Sequence, residues 1–217
     1  MDKQDVLRRV AEVGIVPVVR ASSAEEAMQV VEAIKAGGVT VLEITMTVPR
    51  ALRVIEQVAD RYGDEVVVGA GTVLDAETAR ACILAGAQFV VSPSLNVNTI
   101  EMCRRYSIAV LPGALTPTEV INAWTAGADV VKVFPCGALG GAKYLKSLKA
   151  PLPQVEMIPT GGVSLSTAAE FIEAGALALG VGADLVDTKA IRAGQPEKVT
   201  EAARAYIAAV REARRAA

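Results

Sequence analysis

Four times along the chain a helical pattern ends at Ala-Gly and a β-rich run begins at once: AGGVTVLEIT from Ala36, AGAQFVVSP from Ala85, AGADVVKVFP from Ala126 and AGALALGVG from Ala174. Glycine just past a helix end supplies the left-handed C′ conformation, and unbroken Val/Ile/Leu runs fit strands buried on both faces. Each repeat is therefore a helix-to-strand joint. Adding GIVPVVR, VVVGAGTV, IAVLPGAL and VEMIPTGGV gives eight strands, beginning near Gly14, Val39, Val66, Gln88, Ile108, Asp129, Val155 and Ala176. Helical stretches lie between them, among them Ser23 to Ala36, Asp75 to Ala85 and Thr167 to Ala174. Roughly 20 to 27 residues per unit, eight times over, predicts an α/β fold: a (β/α)8 TIM barrel with all strands parallel. Residues 1–217 are expected to form this one domain, with an extra N-terminal helix from Lys3 to Val13 across the bottom and a closing helix from Pro196 to Arg214.

Composition narrows the partners. With 52% hydrophobic and 21% charged residues the chain can close one large core, and a formal net charge of -2 leaves no electrostatic footprint for nucleic acid or an anionic membrane. No apolar stretch approaches the roughly 20 residues that span a bilayer, and the start MDKQDVLRRVAEVG has no signal-peptide core. Cys82, Cys103 and Cys136 stand singly, without metal-ligand or disulfide spacing, which suits a reducing compartment. A small-molecule ligand and a cytoplasmic location are the expectation. The histidine count is zero, so His-based triads and His-ligated metal sites are excluded, and acid-base work falls to carboxylates, lysines, tyrosines or water.

In a barrel of this kind the chemistry gathers at the C-terminal ends of the strands. Polar residues at those positions are Arg20, Glu43 with Thr45 and Thr47, Thr72, Ser92 before Pro93, Lys132, and Thr160 before Gly161 and Gly162. Only Glu43 and Lys132 are strongly ionisable and seated within a strand. Alternation in the sixth strand puts Val130, Lys132 and Phe134 on one face and Val131, Val133 and Pro135 on the other. Burying an ammonium costs several kcal/mol unless it is paired, and the usual escape is loss of the proton. A neutral lysine amine is a nucleophile that can add to a ketone, lose water and leave a protonated Schiff base, an electron sink for the adjacent carbanion. A carboxylate such as Glu43 can shuttle the protons. A structural ion pair between the two is the competing reading.

The runs VLEITMTVPRA, VGAGTVLDAETA, FVVSPSLN, LPGALTPTE, DVVKVFP and PTGGVS, in this order between Gly14 and Val186, resemble the 2-keto-3-deoxy-6-phosphogluconate (KDPG) aldolase / 4-hydroxy-2-oxoglutarate (KHG) aldolase family. The resemblance implies a class I aldolase, a carbon-carbon lyase that splits KDPG to pyruvate and glyceraldehyde 3-phosphate, or KHG to pyruvate and glyoxylate, with no cofactor and no metal. It also implies Lys132 as the Schiff-base residue, Glu43 as general acid/base, and Thr72 with the Gly69 to Gly71 loop at the carboxylate end. Pro93 and Phe134 would wall the pocket, Gly161, Gly162 and Ser164 would contribute to a phosphate site, and the enzyme would be a homotrimer.

Two positions depart from the best-known members. Thr47 stands where many carry arginine, so a carboxylate clamp would lean on Arg20, or on Arg50 if it bends inward. Ala183 stands where serine is common, removing one hydroxyl donor near Gly182. Loops after the last two strands commonly cradle phosphate through backbone N–H groups, and TGGVS and GVGADLV fit that plan; the same glycines would also serve plain tight turns. Asp184 would repel a dianion unless its side chain caps a helix or faces outward. Two other classes stay open: a phosphate-binding barrel isomerase or epimerase, which needs no lysine mid-strand, and a non-catalytic barrel used as an assembly subunit, which needs neither Lys132 nor Glu43.

Overall fold

The computed structural model describes residues 1–216. Its helices are Lys3–Val13 (α1), Ala24–Ala36 (α2), Ala51–Tyr62 (α3), Ala76–Leu84 (α4), Val97–Arg105 (α5), Pro117–Ala126 (α6), Ala142–Lys149 (α7), Ala168–Glu173 (α8), Thr188–Arg192 (α9) and Glu197–Ala216 (α10). The strands are Ile15–Val19 (β1), Val41–Thr45 (β2), Val67–Gly71 (β3), Phe89–Val91 (β4), Ala109–Leu111 (β5), Gly113–Ala114 (β6), Val131–Val133 (β7), Met157–Pro159 (β8) and Leu179–Val181 (β9). Five helices start where side chains cap them: Asp2, Ser23, Asp75 and Asn96 each accept from an N–H three residues on, and Thr116 with Glu119 closes a capping box ahead of Pro117. Each Ala-Gly joint turns through a glycine in the left-handed region, Gly38, Gly86, Gly127 and Gly175, with φ between 91° and 100°.

The strands are parallel and form a curled α/β sheet in two hydrogen-bonded sets, β5-β4-β3-β2-β1-β9 and β6-β7-β8. The expected fifth strand is split into β5 and β6 at Pro112, which lacks the N–H a ladder needs. The strands begin one to three residues later than the apolar runs suggest, because the first residues of each run finish the turn out of the preceding helix. Backbone bonds also cross between the sets. Asp129 N–H donates to Val110 O (3.1 Å) and Lys132 N–H to Pro112 O (2.9 Å) on one side, while Leu177 N–H donates to Met157 O (2.9 Å) and Thr160 bridges Gly180 on the other.

Two apolar layers sandwich the strands. Inward-facing Val16, Val41, Val67, Phe89, Val91, Leu111, Val130 and Ile158 fill the space enclosed by the sheet, and Val6 and Val10 of α1 pack against them from below. Outward-facing Ile44, Val90, Val131 and Val133 meet Ile55, Ile100, Leu145, Phe171 and Tyr206 of the helices. Burying each large side chain contributes roughly 1.5–3 kcal/mol. Phe89 crosses the interior only because position 69 is glycine: a Cβ there would lie 2.3 Å from its ring. The chain ends are joined as well, since Arg214 of α10 donates to Ala11 O, Glu12 O and Leu177 O. Among the described residues no helix is long and apolar enough to cross a membrane.

Cys82, Cys103 and Cys136 are free and buried between strands and helices. Burial pushes their thiols up to about 11, about 12 and about 11. In the unfolded chain thiols ionise near about 8.5. The folded state therefore holds protons that the unfolded state releases, and this contribution to stability is present below about pH 8.5 and lost as pH rises towards 11. The expected result is no reaction of the native protein with a disulfide reagent at pH 8, three thiols per chain after denaturation, and a melting temperature that falls between pH 8 and pH 10. Rapid native labelling would contradict the buried placement.

Candidate active site

Two residues above Val41 on β2 and Val130 leading into β7, the inward face changes from valine to charge. These positions are Glu43 and Lys132, 2% and 5% exposed. Lys132 Nζ lies 3.6 Å from Glu43 Oε1, close enough for an ion pair and slightly too far for a direct hydrogen bond. The pair rests on Val16, Val91, Leu111 and Ile158, with only about 10 Å³ of space left beneath, too little to hold a water molecule comfortably. Register fixes both groups: Glu43 lies opposite Val18 and Gly69, and Lys132 opposite Gly113 and Ile158. Gly71 makes room for the carboxylate, since a Cβ there would lie 2.7 Å from Glu43 Oε1. Taking two ions out of water costs several kcal/mol each before their attraction repays any of it, so a valine pair would serve a core better.

A cavity of about 190 Å³ opens directly above, sharing Val18, Thr160 and Gly180 with the floor of the pair. Arg20, Phe134, Thr160, Gly161, Gly162, Gly182 and Ala183 all line it. Phe134 lies beside the lysine, its ring centroid 5.5 Å from Nζ. Thr160 fits because Gly180 has no side chain: a Cβ there would overlap its Oγ1 at 2.1 Å. The N–H groups of Gly162, Val163, Gly182 and Ala183 donate to no other group among the described residues, which leaves them available to an anion. Gly161 and Gly162 have φ of 83° and 80°, and a Cβ at Gly162 would meet Gly137 Cα at 2.7 Å, so both conformation and close approach require glycine.

The remaining sequence-selected residues fall outside this cavity. Thr47 is exposed, its Oγ1 2.7 Å from Thr45 Oγ1, which donates to Val19 O and so ties the ends of β1 and β2. Thr72 is half-buried with φ 59°, a costly conformation for a β-branched residue. Pro93 backs onto Gly113, where a Cβ would lie 2.3 Å from its carbonyl, one strand position from Lys132. Ser164 is turned into its own loop, with Oγ 2.9 Å from Ser166 Oγ and 3.1 Å from Thr167 Oγ1. Of the two candidate arginines, Arg20 faces the cavity and exposed Arg50 caps α3 with φ 61°. Asp184 does not line the cavity; its carboxylate accepts from Leu165 N–H and Tyr206 O–H. Val18 and Gly180, which the sequence reading did not select, border both the ion pair and the cavity.

A buried lysine–carboxylate pair beneath a cavity rimmed by free N–H groups can support imine chemistry on an anionic carbonyl compound. The family model for KDPG and KHG aldolase matches residues 6–202. The chain belongs to the KDPG and KHG aldolase family. This aldolase is 36% identical over 201 residues to the 2-dehydro-3-deoxy-6-phosphogalactonate aldolase of Escherichia coli (strain K12), covering 92% of this chain and 95% of that one. Its backbone matches the KDPG aldolase of Legionella pneumophila, solved with pyruvate captured at low pH as a covalent carbinolamine intermediate, with a TM-score of 0.86, 29% identity, and coverage of 93% and 97%. It also matches a chain of a cube-shaped cage designed by fusing symmetric oligomeric domains, with a TM-score of 0.85, 35% identity, and coverage of 94% of this chain and 74% of that one.

The clearance at Gly71 generates a test of the aldolase's geometry. Gly71→Ala adds one methyl whose three nearest neighbours are Glu43 Oε1, Cδ and Cγ, at 2.7, 2.8 and 3.2 Å. The rate of keto-acid cleavage should fall by about 10- to 100-fold, because sub-ångström misplacement of a reacting group is enough for that. Thermal stability should fall as well, because the added methyl overfills a packed strand interior. A fully active Gly71→Ala enzyme would mean that Glu43 need not be held where it is.

Proposed function

We propose that Lys132 and Glu43 carry out class I aldol cleavage of a 2-keto-3-deoxy acid whose far end bears a phosphate, KDPG first among them. The observation that carries this reading is the buried 3.6 Å pair opening onto the N–H-lined cavity. Glu43 takes the proton from the lysine, and Nζ adds to the C2 carbonyl to give a carbinolamine. Returning a proton to its hydroxyl releases water and leaves the iminium. Loss of the C4 hydroxyl proton to Glu43 or water then breaks the C3–C4 bond: the electron pair moves to the iminium nitrogen as an enamine, and the aldehyde, glyceraldehyde 3-phosphate, departs. Protonation at C3 and hydrolysis return pyruvate and the free amine.

Thr160 and Phe134 wall the reacting end, and Arg20 is the cation nearest to hold a carboxylate or phosphate now that Thr47 offers none. Gly161, Gly162, Gly182 and Ala183 supply the backbone rim for the phosphate. KHG, which lacks a phosphate, would use the same pyruvate half and leave that rim empty. A second reading rests on the Escherichia coli relative: the galactonate isomer differs only in configuration at C4, so both C4 epimers belong in the assay.

The same proposal takes residues 1–217 as one domain, a closed (β/α)8 barrel with α1 as an extra N-terminal helix. The backbone bonds at both junctions between the strand sets and the packing of Val6 and Val10 below the interior support it. Free, buried cysteines support a cytoplasmic enzyme. Exposed Leu52, Leu74, Leu84, Val97, Trp124 and Leu139, and the likeness to a chain of oligomeric design, support self-association as the homotrimer that the family resemblance implies.

Incubation with pyruvate and borohydride should add one reduced pyruvyl group at Lys132 and abolish activity; a Lys132→Ala protein that still labels and still cleaves would sink the class I reading. Glu43→Gln should lower kcat by roughly 100- to 10,000-fold while slow imine trapping persists. Loss of thermal stability with kcat intact would favour a structural ion pair instead. Sedimentation at micromolar concentration should give three times the 22.5 kDa subunit mass, and a mass of one subunit would contradict the trimer.

A further inference from the structure

The turn after β9 buries Leu185 and Val186 in the core and makes its side-chain hydrogen bonds to other elements through Asp184. Gly182 O accepts from Leu185 N–H (3.1 Å) and Val186 N–H (2.9 Å), closing a single turn with Asp184 inside it. Asp184 Oδ2 then accepts from two elements outside the turn: Leu165 N–H, in the loop after β8, at 3.0 Å, and Tyr206 O–H, on α10, at 2.5 Å. Tyr206 is 1% exposed, wedged in the outer apolar layer, so its hydroxyl is a fixed anchor. Burial and the Asp184 carboxylate both push the Tyr206 hydroxyl up, which keeps it a donor at neutral pH. On the other side Leu165 follows Ser164, whose N–H and Oγ bind Thr167 Oγ1, so the loop that starts at Gly161 is a closed unit. One carboxylate oxygen thus links both loops of the cavity rim to the outer helical layer.

That link matters more here because Ala183 has no hydroxyl to swing toward a ligand. Backbone N–H groups cannot turn to follow an anion; their positions are those of the loops that carry them. We propose that Asp184 is a positioning residue: by joining Leu165 and Tyr206 it sets the separation between the Gly161–Ser164 loop and the Gly182–Ala183 turn, and so selects phosphorylated keto acids without touching the phosphate. The proposal rests on the phosphate reading of the cavity. It also accounts for an acidic residue beside an anion site, because the charged oxygen is consumed by two donors outside the cavity.

The test compares KM and kcat for KDPG and for unphosphorylated 4-hydroxy-2-oxoglutarate in the wild-type enzyme and in Asp184→Ala, Asp184→Asn and Tyr206→Phe. Asp184→Ala should raise KM for KDPG about tenfold more than KM for the unphosphorylated acid, the size of one lost charge-assisted hydrogen bond, with kcat retained. Asp184→Asn, which keeps an acceptor for Leu165 and Tyr206, should restore most of the difference, and Tyr206→Phe should reproduce part of the loss. If Tyr206→Phe fails to fold, the alanine–asparagine comparison at the exposed position 184 decides alone. Equal KM changes for both substrates, or none, in a wild-type background that prefers KDPG would overturn the positioning role. A wild-type enzyme without preference for the phosphorylated acid would overturn the phosphate reading itself, and the proposal with it.

Discussion

Everything above the apolar plug depends on two opposite charges being held out of water within 3.6 Å of each other. Either one alone would be an uncompensated buried ion costing several kcal/mol, so each is tolerable only because the other is present. Their separation is a property of the sheet rather than of the side chains. Glu43 enters from β2 and Lys132 from β7, and inward-facing alternation along each strand brings both to one level. Neighbouring positions are then constrained to be small. Gly71 clears the carboxylate, Gly180 clears Thr160, and Gly69 lets Phe89 complete the floor. The proposed nucleophile and its base sit on rigid strands, where a shift of either would require moving the core.

How much of this the sequence disclosed follows from the range of the interactions involved. The helix-to-strand joints are local, set by glycine conformation and apolar runs, and the helices at Lys3–Val13 and Ala24–Ala36 lie where those signals put them. Lys132 and Glu43 are legible because charge inside a valine run is a conflict visible without coordinates. The split of the fifth strand at Pro112 was equally local, and the missing N–H of proline is its signal. What could not be read is any contact between side chains on different loops. Arg20 follows a strand and Arg50 precedes a helix, and the fold puts the first on the cavity and the second at the helix N-cap position. Ser164 reads as a phosphate donor, yet its hydroxyl is taken by Ser166 and Thr167 two and three residues on. The partnership of Asp184 with Tyr206 spans 22 residues and joins a turn to a helix with no shared pattern.

The two halves of the site therefore differ in how they are built. The proposed imine-forming pair lies on strand residues whose positions are fixed by backbone ladders and by an interior with almost no free volume. The proposed anion rim lies on loops held by apolar residues such as Val163 and Leu185 and by a few polar contacts at their outer edge. A substitution inside the strands disturbs packing on several sides, whereas a Cβ at Gly182 in the rim would meet only Arg20 Nη1, at 3.8 Å, and interior packing is the less forgiving of the two. Variation in the aldehyde half, including the gluconate and galactonate configurations named among the relatives, is in physical terms the cheaper change.

The same division explains how an exposed aspartate can sit beside the proposed anion site. Coulomb repulsion between a carboxylate and a phosphate is weakened by water and by distance, but an unpaired carboxylate would still oppose binding. Pairing Oδ2 with a backbone N–H and a buried phenol moves its density toward the helices and away from the cavity. The phenol contributes in a way that a lysine could not: a neutral donor stiffens the loop without adding a positive charge that would hold product phosphate after cleavage. Arg20 remains the cation lining the cavity, at its exposed edge, where its charge is screened. Tight positioning by neutral donors with modest attraction from one screened cation suits the proposed reaction, in which a phosphorylated aldehyde must leave as readily as the phosphorylated acid binds.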